Sequence, residues 1–210
     1  MDKQFLKAVV ALTSALLLTA CSEAPNPVDS KKAETPAKVE PAGPPEAVAA
    51  RSAFYEMYKP ARAWASDLLP LTVAAGEIPG IKNEDGKAGM WTAVFVSPSR
   101  REARTFVYAV ADSGSDIHKG VTAGGAQDWS GSTPKSRPFQ VTEFITNSDE
   151  AFKTASEKAG AWLSKHPGKK VSITLASTAR FPTPVWYIMW GDNKSGYLAF
   201  VNAITGLPMK

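Results

Sequence analysis

From Glu46 to the C-terminus, the hydrophobic positions fall into two successions of the same kind, each a helical stripe followed by three strand-like runs. In the first, Phe54, Met57, Tyr58, Ala61 and Trp64 recur at helical spacing and predict a helix over about Glu46–Ser66. Pro60 lies inside that stretch and predicts a kink or a restart, because proline lacks the amide that a helix interior needs. Leu69, Leu71 and Val73 then alternate as in a strand, Gly76–Gly89 is rich in turn formers, and Met90–Val96 is a second strand. Ser97–Arg101 turns the chain into a third, Arg104–Val110, which ends at Asp112-Ser113-Gly114. In the second succession, Asn147 with Glu150 has the form of a capping box. Phe152, Ala155, Ala159, Trp162 and Leu163 give the helical stripe, and His166-Pro167-Gly168 stops it. Val171, Ile173 and Leu175 alternate, Val185–Trp190 reads as a buried strand, Gly191–Gly196 as a hairpin turn, and Tyr197–Ala203 as the last strand.

The landmarks of the two halves align. Ala63-Trp64-Ala65-Ser66 matches Ala161-Trp162-Leu163-Ser164, Trp91 matches Trp186, and Ala111-Asp112-Ser113-Gly114 matches Ala203-Ile204-Thr205-Gly206, at offsets of 98, 95 and 92 residues. The order and the slow drift predict an α+β fold made of two α-β-β-β units, each an antiparallel sheet covered by one helix. The units span 46–117 and 147–210, joined by a Gly/Ser-rich connecting loop at 118–146.

The second unit resembles a PepSY domain. A helix, a strand, Trp186-Tyr187-Ile188-Met189-Trp190, a glycine-bearing turn and Ala199-Phe200-Val201-Asn202-Ala203-Ile204-Thr205-Gly206 carry the likeness. It covers Ser148–Leu207 well and Glu46–Gly114 weakly, and Asn202 stands where the family commonly has an acid. The resemblance implies a cystatin-like fold and a cell-envelope setting, with inhibition or chaperoning as the role such domains play in protease propeptides. It supplies no catalytic residues.

The N-terminus has a different character. Lys3 and Lys7 precede an apolar run, Ala8–Thr19, of 12 residues. That is short of the roughly 20 needed to cross a bilayer but suits the apolar region of a signal peptide. Leu18-Thr19-Ala20-Cys21 resembles a lipobox, which implies a lipoprotein signal peptide at 1–20, cleavage before Cys21 and diacylglycerol on its thiol. Ser22 in the following position implies sorting to the outer membrane, since the usual retention residue there is Asp. Residues 21–45 carry six prolines, with Ala, Lys and Glu between them and few large apolar side chains. They read as a disordered tether reaching up to about 70 Å from the membrane.

Composition narrows the chemistry. One cysteine in 210 residues excludes an intramolecular disulfide, and lipidation accounts for it. The net charge of +4 is spread among acids, so no basic patch points to nucleic acid. No metalloprotease, nucleophile-elbow, phosphate-loop or dinucleotide motif occurs. Ser132-Thr133-Pro134-Lys135 and Lys194-Ser195-Gly196 mimic elements of penicillin-interacting enzymes, but the first lies in a Gly/Ser/Pro loop instead of opening a helix, and both read as polar turns. Asp112-Ser113-Gly114-Ser115-Asp116 lacks the acid spacing of a calcium loop. His118, in a loop, and His166, at a helix C-terminus, do not suggest a shared metal site, and no cofactor is expected. Of six tryptophans, Trp64, Trp91, Trp162, Trp186 and Trp190 fit the core. Trp129 sits in the connecting loop and, with His118, is a candidate binding residue near the junction of the two units.

These features predict a non-enzymatic, membrane-tethered binding or interaction lipoprotein of the cell envelope, held through Cys21 on the periplasmic face of the outer membrane. Its partner would be a peptide, a protease or another envelope protein, and exposed sheet edges would accept a strand. A structural or assembly factor of an envelope complex is the alternative, and a periplasmic enzyme a third.

Overall fold

A computed structural model describes residues 43–210. The expected signal peptide, Cys21 and most of the expected tether lie outside the described residues. The chain begins with a short strand, β1 (Val48–Ala49), and a helix, α1 (Ala50–Trp64). Strands β2 (Leu69–Gly76), β3 (Lys87–Ala88), β4 (Met90–Ser97), β5 (Glu102–Ala109) and β6 (Gly120–Asp128) follow. A single 3-10 turn at Val141–Glu143 leads into α2 (Ser148–Leu163), and β7 (Val171–Ala176), β8 (Val185–Trp190), β9 (Tyr197–Asn202) and β10 (Pro208–Met209) complete the fold.

The fold is α+β, with two helices on one large antiparallel sheet. Its order is β10-β9-β8-β7-β2-β4-β5-β6, while β1 and β3 form a separate two-stranded ribbon. This corrects the expectation of two sheets. β2 pairs with β7 through Thr72↔Ala176, Val73↔Leu175 and Ala74↔Thr174, which merges them into one sheet of eight strands. The pairing removes two edges that separate sheets would leave open. Along β2, β4, β7, β8 and β9, the residues of one face (Val73, Trp91, Ala93, Phe95, Ile173, Leu175, Trp186, Ile188, Trp190, Ala199 and Val201) are buried in a single core with residues of both helices.

The helices differ from expectation in detail. α1 is shorter than 46–66 and continues past Pro60 without a restart. Pro60 and Glu56 are both exposed, so the carbonyl that the missing amide leaves free is on the solvent side of the helix. α2 starts at the expected capping box, with Glu150 Oε2 accepting from the Asn147 amide at 2.8 Å. Trp64 and Trp162 occupy the same position in their helices, counted from Ala50 and from Ser148. The segment expected as a loop, 118–146, contains β6. β6 is exposed almost throughout and therefore shows no apolar alternation. Backbone pairing with β5, not burial, makes it a strand.

The helix starts are tied together. α1 has no side-chain cap of its own at Ala49. Its first amides are taken by the other helix: Ala50 N–H donates to Ser148 Oγ at 2.8 Å and Arg51 N–H to Asn147 Oδ1 at 3.0 Å. Beneath them, Trp91 Nε1 donates to the Val48 carbonyl and Trp186 Nε1 to the Thr146 carbonyl, each at 2.9 Å. Val48 and Thr146 each lie two residues before the start of their helix. The indoles meet edge to face at 6.5 Å, and the contact continues through Phe144, Phe54, Phe95 and Phe106 as an aromatic row across the core.

Trp91→Phe and Trp186→Phe should each destabilise the protein by roughly 2–4 kcal/mol, from an orphaned carbonyl plus a small cavity. The two costs should lie within about 1 kcal/mol of each other and be non-additive in the double variant, because the rings touch. Urea denaturation measures this; a negligible cost at either position would contradict the paired role.

Candidate functional site

β2 and β7 pair over three residues only, and the sheet opens at both ends of that pair. At one end the chain fills the opening itself. The stretch before α2 crosses there, with Arg137 N–H donating to the Ser177 carbonyl at 3.0 Å and Phe139 N–H to the Pro70 carbonyl at 2.9 Å. The Phe139 ring is buried in the core.

At the other end, Ala75 and Gly76 of β2 have no partner on β7, and Val171, Ser172 and Ile173 none on β2. A cavity of about 420 Å³ occupies this gap. Its walls include Ala75, Ile78, Ile81, Phe152, Val171 and Ile173, and its rim carries Glu77, Glu84, Asp85, Lys87, Lys169 and Lys170. A second hollow of about 530 Å³ adjoins it along α2, bounded by Asp149, Lys153, Ser156 and Glu157, and shares Asp85, Lys87 and Phe152 with the first.

The insertion between β2 and β4 builds the outer wall. Three ties hold it. β3 pairs with β1, at Val48↔Ala88 and Ala49↔Lys87. The Asn83 side chain bridges its two ends, donating to the Gly76 carbonyl at 2.7 Å and accepting from the Gly89 amide at 3.0 Å. Gly86, at φ +78°, lies against the first turn of α2, where a Cβ would meet the Ser148 carbonyl oxygen at 2.5 Å and Asp149 Cα at 2.6 Å. Only glycine allows that approach.

The rim is set by ion pairs. Lys170 Nζ lies 2.9 Å from Glu77 Oε1 across the split, and Lys82 Nζ 2.7 Å from Glu84 Oε2. The Lys82 ammonium holds the Glu84 carboxyl below its ordinary value, and Glu84 raises Lys82 in turn. All four side chains are largely exposed, so the pairs shape the rim more than they stabilise the fold. The Ser156 hydroxyl, on the α2 side, is buried without a hydrogen-bond partner. The cavity offers an apolar interior, ionic groups of both signs at its mouth and strand ends free of each other. That combination suits an extended segment with a large apolar side chain.

The candidates singled out from sequence lie elsewhere. His118 is exposed between β5 and β6, its Nδ1 3.8 Å from Asp112 Oδ1. Trp129 follows β6, half-buried, its amide donating to the Arg101 carbonyl at 2.8 Å. Neither lines either cavity. Asp112–Asp116 folds as a turn closed by the Ser113–Ile117 bridge. Ser132–Lys135 lies in a turn closed by the Thr133–Ser136 bridge. Lys194 and Ser195 donate their amides to Asp192 Oδ1, which lowers the Asp192 carboxyl from its ordinary value. Among the described residues no three His, Cys, Asp or Glu side chains gather as a metal site requires. Among them, too, no helix is long and apolar enough to cross a membrane.

The chain matches no family model and no curated protein sequence. Among solved structures it is similar to the crystal structure of a "putative lipoprotein" from Clostridium difficile 630, with a TM-score of 0.43 and 9% identity, over 75% of this chain and 90% of that one. A likeness at that level carries no inference about this chain.

Gly86→Ala should cost roughly 2–4 kcal/mol, from left-handed backbone strain plus overlap with α2. Gly80→Ala is the control, since Gly80 has a similar φ of +82° but open space around it. It should cost only the strain of roughly 1–2 kcal/mol. Equal losses in urea denaturation would mean that Gly86 does not anchor the cavity wall.

Proposed function

We propose that this protein is a lipid-tethered binding module of the cell envelope, non-enzymatic, that holds an extended segment of a partner polypeptide in the cavity between β2 and β7. One observation carries the reading: at the far end of the same strand pair the chain already receives such a segment. Arg137 donates a backbone hydrogen bond to Ser177, next after β7, and Phe139 one to Pro70 of β2, and an aromatic side chain enters the core. The open end presents a cavity of suitable size with apolar walls. Hydrogen bonds to backbone would supply affinity, and the side-chain pocket would supply selection.

The two-unit reading belongs to the same proposal. The strand order runs outward from the β2–β7 pair as β2-β4-β5-β6 on one side and β7-β8-β9-β10 on the other. Each half has a helix before its first strand of the large sheet and a tryptophan bonded to the carbonyl two residues before that helix. These parallels favour duplication of one PepSY-like unit, with the binding cavity at the seam. The lipobox resemblance at Leu18–Cys21 and Ser22 after it favour anchoring at the periplasmic face of the outer membrane.

Two experiments test this reading. Cys21→Ala in the full-length chain should abolish incorporation of labelled palmitate and leave the uncleaved precursor; retained labelling would remove the anchor. A photocrosslinking residue at Lys153 or Ile81, in cells, should join the protein to a discrete envelope polypeptide, while the same residue at exposed Tyr55 should not. Equal crosslinking at all three positions, or none at the cavity, would sink the proposal.

A further inference from the structure

The two edges of the sheet are built differently. One edge is β10, two residues long with proline at its first position, which is how natural sheets blunt an edge. The other edge is β6, nine residues long with sequence Gly-Val-Thr-Ala-Gly-Gly-Ala-Gln-Asp. It has no proline, no lysine or arginine, and one charge, at its last position. Every residue after Gly120 is exposed. β6 pairs with β5 on one side only, so its outer side presents unpaired backbone donors and acceptors, apart from the Gly124 carbonyl in the bulge, which accepts from Arg104 Nε at 2.7 Å.

Two further features say what fits there. The first is a register mark. β6 contains a bulge: Arg104 pairs with Ala126 and Phe106 with Ala123, leaving Gly124 and Gly125 together opposite Thr105. Phe106 is part of the buried core, so Val121, Ala123, Ala126 and Asp128 lie on the helix side of the sheet and Thr122 and Gln127 on the other. Side-chain alternation therefore reads the same outward from the Gly124-Gly125 centre in both directions. A second β6 running antiparallel, with Gly124 of each copy opposite Gly125 of the other, keeps every facing pair on one side of the sheet. Val121 then faces Asp128, Thr122 faces Gln127, and Ala123 faces Ala126. A shift of one residue breaks this agreement.

The second feature is charge. Within one chain Asp128 is directly opposite Glu102 on β5, a like-charge pair that disfavours the strand end. Lys119 immediately precedes β6. In the register above, Lys119 of one copy comes beside the end of the other copy's strand, diagonal to Asp128, where the chain turns at Gly120 (φ +94°), and brings a cation near the Glu102–Asp128 pair. This happens twice, once at each end of the paired strands.

We propose that β6 is a self-recognition edge, and that two copies of the chain pair antiparallel through Gly120–Asp128 to form one continuous sheet across a two-fold axis. The dimer does not depend on the peptide cavity, which lies in the middle of the sheet. Both cavities stay open in the dimer, so loss of one function leaves the other measurable.

The full-length chain in detergent, followed by sedimentation velocity across a range of concentrations, reads the association. A reversible monomer–dimer equilibrium is expected. Ala123→Lys, which places an edge-guarding lysine at an exposed position, should leave only monomer while the circular dichroism and urea midpoint stay as in the parent. Lys119→Asp alone should weaken the dimer by roughly 3- to 10-fold, as an exposed charge pair allows. The exchanged double variant Lys119→Asp with Asp128→Lys should recover most of that loss. A chain that stays monomeric throughout, a dimer indifferent to Ala123→Lys, or a double variant weaker than Lys119→Asp would each overturn the proposal. So would capture of a strand from a different envelope protein by β6 without self-association.

Discussion

The structure depends on how two helix beginnings share one set of caps. A helix start leaves backbone amides unsatisfied and carries partial positive charge, so two starts brought together repel each other and need acceptors. Asn147 and Ser148 meet both needs, giving oxygens to their own helix and to the first two amides of α1. Asp149 and Glu150 add negative charge at the meeting point, whereas the first turn of α1 has no acid. α1 therefore begins where it does because α2 begins beside it. Below the caps, Trp91 and Trp186 fasten the two incoming backbones to the sheet. With both helix starts fastened to β4 and β8, the strands that flank β2 and β7, the two sets of strands share one core and one sheet.

The same constraint limits how long β2 and β7 stay together. Three residue pairs join them before they part, and each parting leaves a gap in the middle of the sheet. Phe139 closes one gap from within. The insertion over residues 77–89 rises beside the other and walls it without filling it, because Gly86 lets it rest on α2 while Asn83 keeps its ends together. The cavity is thus a consequence of joining two sheets at a short seam, and its contents depend on which segment reaches each opening.

Much of this order was legible in the sequence, and the reasons differ by element. α2 and the strands β4, β8 and β9 follow from periodic burial, and the Asn147–Glu150 box marks its helix start within a residue. The equivalence of Trp64 with Trp162 and of Trp91 with Trp186 was visible as spacing. β6 was not, because it has no buried face to impose a pattern. The merging of the sheets was not, because no local signal states which strands become neighbours. The site escaped for a related reason. Asp85-Gly86 could be read as a turn, but the closeness of Gly86 to Ser148 and Asp149 is a contact across 62 residues of chain. Trp129 and His118 stood out as unusual residues in a loop, while the cavity is lined by ordinary ones.

Under the proposed duplication, the most informative difference between the halves is the connection after the first strand. In the first half it folds to the helix side as the 77–89 insertion and walls the cavity. In the second half, residues 177–184 fold to the opposite face. There Phe181 packs on Tyr187 and Phe200, and the Arg180 guanidinium lies over the Phe181 and Phe200 rings at 4.8 and 5.0 Å. Ser177 fixes this connection by donating to the Pro182 carbonyl at 2.8 Å. One connection therefore covers apolar surface that would otherwise be bare, and the other leaves a lined hollow. A repeated frame tolerates that divergence because the cap, the tryptophans and the seam carry its stability. The two connections are free to differ, and the difference leaves a lined cavity at one end of the seam, walled by the first half's connection and by Phe152, Val171 and Ile173 of the second.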